Sequence, residues 1–178
     1  MTRIKGCCTR RPFNAQQVWS VTGIVMFIMQ LGLISYAREE DMVKHHFSFN
    51  TIVDSPDAEV LDYQYGSSGQ FGTHANKERV QLGQVFPQWN TAGVMPRGEF
   101  LYVKWRLKSS GKVYEDKVDL TTRLPADITD HRIHFVIKGA QLYVYLISPE
   151  RRSASSPAGP VKTYAYLKQY QIYPDPAK

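Results

Sequence analysis

The chain has 178 residues, a net charge of +6 and two cysteines, enough for one ordinary domain with an extension. Arg3, Lys5, Arg10 and Arg11 carry four of those positive charges, so the remainder is close to neutral and lacks the clustered Lys and Arg of a nucleic-acid face. Cys7 and Cys8 are adjacent and precede the long apolar run, which excludes a disulfide framework or cysteine metal site in the folded part and a lipidated cysteine behind a hydrophobic segment.

Residues 1–17 form a basic arm, expected in the cytoplasm. Residues 12–37 contain no charged side chain, and residues 18–37 are long enough, at about 30 Å as a helix, to cross a hydrocarbon core. Val18, Trp19, Ile24, Phe27, Leu31 and Tyr36 are its expected anchor residues, with Trp19 and Tyr36 at the two interfaces. The basic arm before it and Arg38-Glu39-Glu40-Asp41 after it orient the span with the domain outside the cytoplasm. Ser35-Tyr36-Ala37 also fits a cleavage site, so a signal anchor and a signal peptide removed after Ala37 are both open. Either places the domain in a bacterial periplasm.

Residues 38–46 read as a polar linker, and residues 47–178 as a β-rich domain with a C-terminal tail. Residues 47–53 and 60–65 alternate as strands. In residues 100–107, Leu101, Val103, Trp105 and Leu107 share one face. Ser109-Ser110-Gly111-Lys112 then turns into a strand over residues 113–120, and Lys138-Gly139-Ala140 joins strands 133–137 and 141–147. Period-two alternation with turns about every ten residues predicts an antiparallel β-sandwich. Residues 148–160 read as a surface loop. Tyr166, Tyr170 and Tyr173 fit either a short helix or a strand.

The cluster Tyr65-Gly66-Ser67-Ser68-Gly69-Gln70-Phe71-Gly72-Thr73-His74-Ala75-Asn76 tests for chemistry. Its G-x-x-G-x-x-G spacing matches neither a dinucleotide loop nor a P-loop, and Gly-Ser-Ser-Gly is not a nucleophile elbow. His131 and His134 are three apart, so on a strand they face opposite ways and cannot share a metal; His45 and His46 fall in the linker. No catalytic, cofactor or metal constellation emerges, and no small-molecule substrate is expected. The three glycines instead predict a tight loop leaving the strand that ends at Tyr65, with Gln70, Phe71, His74 and Asn76 displayed for a protein partner. Tyr143 and Tyr145 share a strand face opposite Leu142, Val144 and Leu146. They are either further partner contacts or stacked against the C-terminal segment.

The succession Tyr63-x-Tyr65, Gly69-Gln70-Phe71-Gly72, Gly83, Pro87-Gln88-Trp89, Pro96-Arg97-Gly98, Val103-Lys104-Trp105, His134-Phe135 and Gly139-x-x-x-Tyr143-Val144 resembles a family of small exported bacterial proteins. These are usually lipoproteins, and members often lie beside lipase effectors of the type VI secretion system. The resemblance covers about residues 60–148. It implies an immunity protein that binds and blocks a phospholipase toxin in the periplasm without being an enzyme. Two departures stand out. Gln84-Val85-Phe86 occupies positions where family members often carry cysteines, and an apolar span replaces the lipobox, so a helix would replace acyl chains as the anchor. A membrane-anchored structural or adaptor subunit of an envelope machine is the alternative; an envelope hydrolase with dispersed catalytic residues is a third.

Overall fold

The computed structural model describes residues 42–176. The basic arm, the membrane span with its anchor residues, and the start of the linker lie outside the described residues. Among the described residues no helix is long and apolar enough to cross a membrane.

The described chain is mainly β. Its elements are β1 (Met42–Asn50), α1 (Thr51–Asp54), β2 (Ala58–Tyr65), α2 (Lys77–Gln81), β3 (Gln88–Pro96), β4 (Phe100–Leu107), β5 (Val113–Asp119), β6 (Arg132–Lys138), β7 (Gln141–Arg151), a 3-10 turn (Lys162–Tyr164) and β8 (Leu167–Tyr173). They form a five-stranded sheet in the order β3-β1-β6-β7-β8 and a three-stranded sheet in the order β2-β4-β5.

Both expected hairpins are present: β4 pairs with β5 and β6 with β7, each antiparallel. One pair departs from the antiparallel expectation. β1 runs parallel to β6, with His46 opposite Arg132 and Ser48 opposite His134. A parallel pair needs a long crossover, and the chain between these strands builds the whole second sheet together with β3.

Two boundaries also differ from the sequence reading. β1 starts at Met42, so residues 42–46 belong to the sheet and not to a linker. It stops at Asn50, short of Val53, because the Asn50 Oδ1 accepts a hydrogen bond from the Val53 N–H at 3.2 Å and caps a helical turn. Ile52 and Val53 are exposed in consequence. The aromatic tail resolves as a strand, β8.

The core lies between the sheets. Leu101, Val103, Trp105 and Leu107 bury one face of β4 as their alternation requires, and Leu142, Val144 and Leu146 do so on β7. Aromatic rings bridge the two layers. Phe47 on β1 stacks on Tyr65 of β2 with centroids 5.0 Å apart, and Phe49 meets Tyr63 edge-on at 5.1 Å. Burying each such ring contributes roughly 1.5–3 kcal/mol.

The opposite face of the five-stranded sheet is covered as well. Val136, Tyr145 and Ile147 pack with Val161, with Tyr143, Tyr164 and Leu167 around them. The chain between β7 and β8 therefore folds back over the sheet.

Candidate functional site

The glycine loop leaves β2 and returns beside it. The Tyr65 N–H donates to the Thr73 carbonyl at 2.6 Å and the Ala75 N–H to the Tyr63 carbonyl at 2.8 Å. The loop base is thus laddered onto the sheet, while its apex at Ser67–Phe71 is largely exposed.

Gly66, Gly69 and Gly72 all adopt positive φ, as a tight loop demands. Two of them are also confined. A Cβ on Gly66 would lie 2.9 Å from the Gly98 Cα. One on Gly72 would lie 2.9 Å from the Thr91 side chain and 3.0 Å from the Trp89 Nε1. Only a glycine lets the loop press this closely on β3.

Phe71 sits at the apex, 84% exposed, with its ring edge-on to Trp89 at 6.0 Å. Gln70 is exposed, and its Nε2 reaches the Val94 carbonyl at 3.5 Å. Asn76 is exposed too, but its Oδ1 accepts from the Arg79 N–H at 3.0 Å and caps α2. His74 is half-buried in a bridge to Gln64. Its Nδ1 and the Trp89 Nε1 are buried with no hydrogen-bond partner. Two orphaned polar atoms so close to one loop mark a locally costly arrangement, at roughly 1–3 kcal/mol each.

Tyr143 and Tyr145 are not part of this surface. β1 and β6 separate β7 from β3 and its loop. Tyr145 is 2% exposed and its hydroxyl faces the Gln171 Oε1 at 3.4 Å; the half-buried Tyr143 carries the Lys138 ammonium 5.2 Å above its ring. Of the two readings of this face, the structure shows packing against the C-terminal segment, and this removes Tyr145 from the accessible surface.

The structure also assembles three residues that no linear spacing connects. The Ser48 Oγ of β1 lies 2.8 Å from the His134 Nδ1 of β6, and the His134 Nε2 lies 3.1 Å from the Asp54 Oδ2 of α1. Burial pushes the Asp54 carboxyl up, but hydrogen bonds from His134 and Thr163 outweigh it and hold the group below the ordinary carboxylate range. Burial keeps His134 below its ordinary value, against the pull of Asp54. A carboxylate can only accept, so the His134 Nε2 carries the proton and the Ser48 hydroxyl donates to Nδ1.

Serine, imidazole and carboxylate in line resemble a hydrolytic triad, with the two ring nitrogens exchanged. Their surroundings give them another task. Ser48 is 2% exposed, in mid-strand between β3 and β6, and Tyr164 covers His134 edge-on at 5.3 Å. No substrate carbonyl can reach the hydroxyl. Asp54 instead accepts from the Lys162 N–H at 2.7 Å, from the Thr163 N–H at 3.1 Å and from the Thr163 hydroxyl at 2.6 Å. The network fastens the 3-10 turn over the sheet.

Beside it, Phe49, Asn50, Gln88, Trp89, Asn90, Thr163 and Tyr164 line a cleft of about 390 Å³. Among the described residues no group of His, Cys, Asp and Glu could hold a metal ion. His131 is in a turn and His134 in the buried network, so they share no site. No family model, characterised protein or solved structure matches the chain.

Proposed function

We propose that this chain is an immunity protein: a sandwich held at the periplasmic face of the inner membrane by its apolar N-terminal span, which neutralises a type VI secretion phospholipase by binding it. The motif order over residues 60–148 supports the reading. The single structural observation that carries it is Phe71, an 84% exposed aromatic on a loop whose base is hydrogen-bonded to β2. An exposed aromatic on an anchored loop is the kind of side chain that serves as an anchor in protein interfaces. Inhibition would be stoichiometric, with the loop region covering the mouth of the lipase site.

The test is direct. The full chain is co-expressed with the lipase encoded beside it, and both complex formation and phospholipase turnover are measured. Capture of the lipase with loss of turnover supports the proposal. A lipase that neither binds nor slows in the presence of excess chain sinks it.

A further inference from the structure

The two sheets have four edges, and three of them are protected. β2 carries Glu59 and Asp62 and a break in register, and its outer side is engaged by Phe86 and the returning glycine loop. β5 carries Glu115, Asp116, Lys117 and Asp119. β8 carries Lys168 and pairs with β7 through two register breaks. Charges and bulges of this sort keep a foreign strand from pairing.

β3 has neither. Gln88–Pro96 contains no charged residue, and all nine of its residues pair with β1 without a register shift. The direction of its backbone groups follows from its ends. The Pro87 carbonyl accepts from the Thr51 N–H on the β1 side, while the Phe86 N–H donates across to the Val60 carbonyl of β2. Alternation along an antiparallel strand then turns the N–H and C=O of Gln88, Asn90, Ala92 and Val94 away from β1. The Gln70 amide reaches the Val94 carbonyl. Between Phe86 and Val94, the outward groups of Gln88, Asn90 and Ala92 have no backbone partner among the described residues.

The cleft opens at the Gln88 end of this window. Phe49, Trp89 and Tyr164 give it aromatic walls, and Asn50, Gln88 and Asn90 give it three carboxamides. Among the described residues Asn50 and Asn90 use only their oxygens, toward Val53 and Arg132, which leaves both NH₂ groups to donate.

We propose that β3 is the docking strand: an extended segment of the neutralised lipase, without basic side chains, adds to its edge over Gln88–Ala92, and an amide or aromatic side chain of that segment enters the cleft. This inference rests on the proposed function and names its binding mode. An edge whose outward N–H and C=O groups lack backbone partners selects an extended segment, and the Arg132 guanidinium, which donates to Asn90 at 2.5 Å and lies 4.7 Å over the Tyr164 ring, disfavours a lysine or arginine in the cleft.

Amide hydrogen exchange of the full chain in detergent, alone and with the lipase, tests it. Slower exchange at Asn90 and Ala92 on complex formation, with β5 unchanged, is the expected result. A92P removes an outward N–H that makes no bond to β1, and should weaken lipase binding at least tenfold at unchanged melting temperature. If A92P does not fold, exchange on the unmodified chain decides. A complex that leaves Gln88–Ala92 unprotected overturns strand addition while the immunity reading stands. Concentration-dependent protection in the chain alone would assign the edge to a second copy and overturns the proposal too. No complex at all overturns both readings together.

Discussion

The His134 imidazole and the Asp54 carboxylate meet at 3.1 Å, and neither side chain has any exposed surface. Asp54 ends the first helical turn, and the backbone it holds, at Lys162 and Thr163, is more than a hundred residues further along. One carboxylate thus fixes both a strand of the sheet and the turn that covers it. Asp54→Ala leaves His134 and two N–H groups without an acceptor. It should cost about 3 kcal/mol of unfolding free energy. It should also make residues 152–160 sensitive to protease at temperatures where the wild type resists. Unchanged denaturant midpoints and an unchanged digestion pattern would contradict this role.

Acid should weaken the fold in two stages. His45, His46 and His134 all titrate below the ordinary histidine value of 6.5, chiefly because burial disfavours the charged ring. A histidine depressed in the folded state takes up a proton more readily when unfolded, so stability is full above that ordinary value and falls as pH drops from it. Asp54, also depressed, contributes stability that is present above its unfolded pKa and lost as pH falls through the folded one. Urea midpoints should therefore hold from pH 7.5 to about 6.5 and decline from there to pH 4.5. A flat profile across that range would show that the imidazoles are not held neutral by burial.

Gly72 and Gly69 separate strain from crowding. Both have positive φ, but only Gly72 faces β3, while Gly69 has open space where a Cβ would go. Gly69→Ala should cost about 1 kcal/mol for the backbone alone. Gly72→Ala adds a clash with Thr91 and should cost about 2–3 kcal/mol. Thermal melts of the two variants compare them; equal losses would mean that the loop moves off β3 without penalty.

Phe71 and Tyr145 predict opposite phenotypes. Phe71→Ala should leave stability within about 0.5 kcal/mol of wild type, because the ring is mostly in water, yet weaken lipase capture more than tenfold. Tyr145→Ala should cost about 3 kcal/mol by emptying a packed site. Tyr145→Phe, which removes only a 3.4 Å hydrogen bond, should be near neutral in both respects. A Tyr145→Phe variant that folds normally and loses lipase binding would return this residue to the interface.

What could be read from the sequence was local. The β4–β5 and β6–β7 hairpins announce themselves because each joins two alternating runs through a short turn. The glycine loop was legible because positive φ has a residue-type signature. β3 was not: Gln88–Pro96 mixes polar and small residues, being half exposed along an edge, and leaves no clean alternation. The parallel β1–β6 pair and the Ser48–His134–Asp54 network were invisible for another reason. Each joins residues about eighty positions apart, and only register brings them together.

The interior position of β1 sets an order of assembly. The first strand of the described chain lies between β3 and β6, and its β6 partner is synthesised only after the entire second sheet. β1 must therefore wait, with one side unpaired, while later strands are made. The latch at Lys162 and Thr163 closes later still. Contacts of such long sequence separation make for slow folding. A chain truncated before residue 160 would keep every strand from β1 to β7 and still lack the closing bonds to Asp54, so a partially emerged chain is a substrate for holding factors and proteases rather than a smaller working domain.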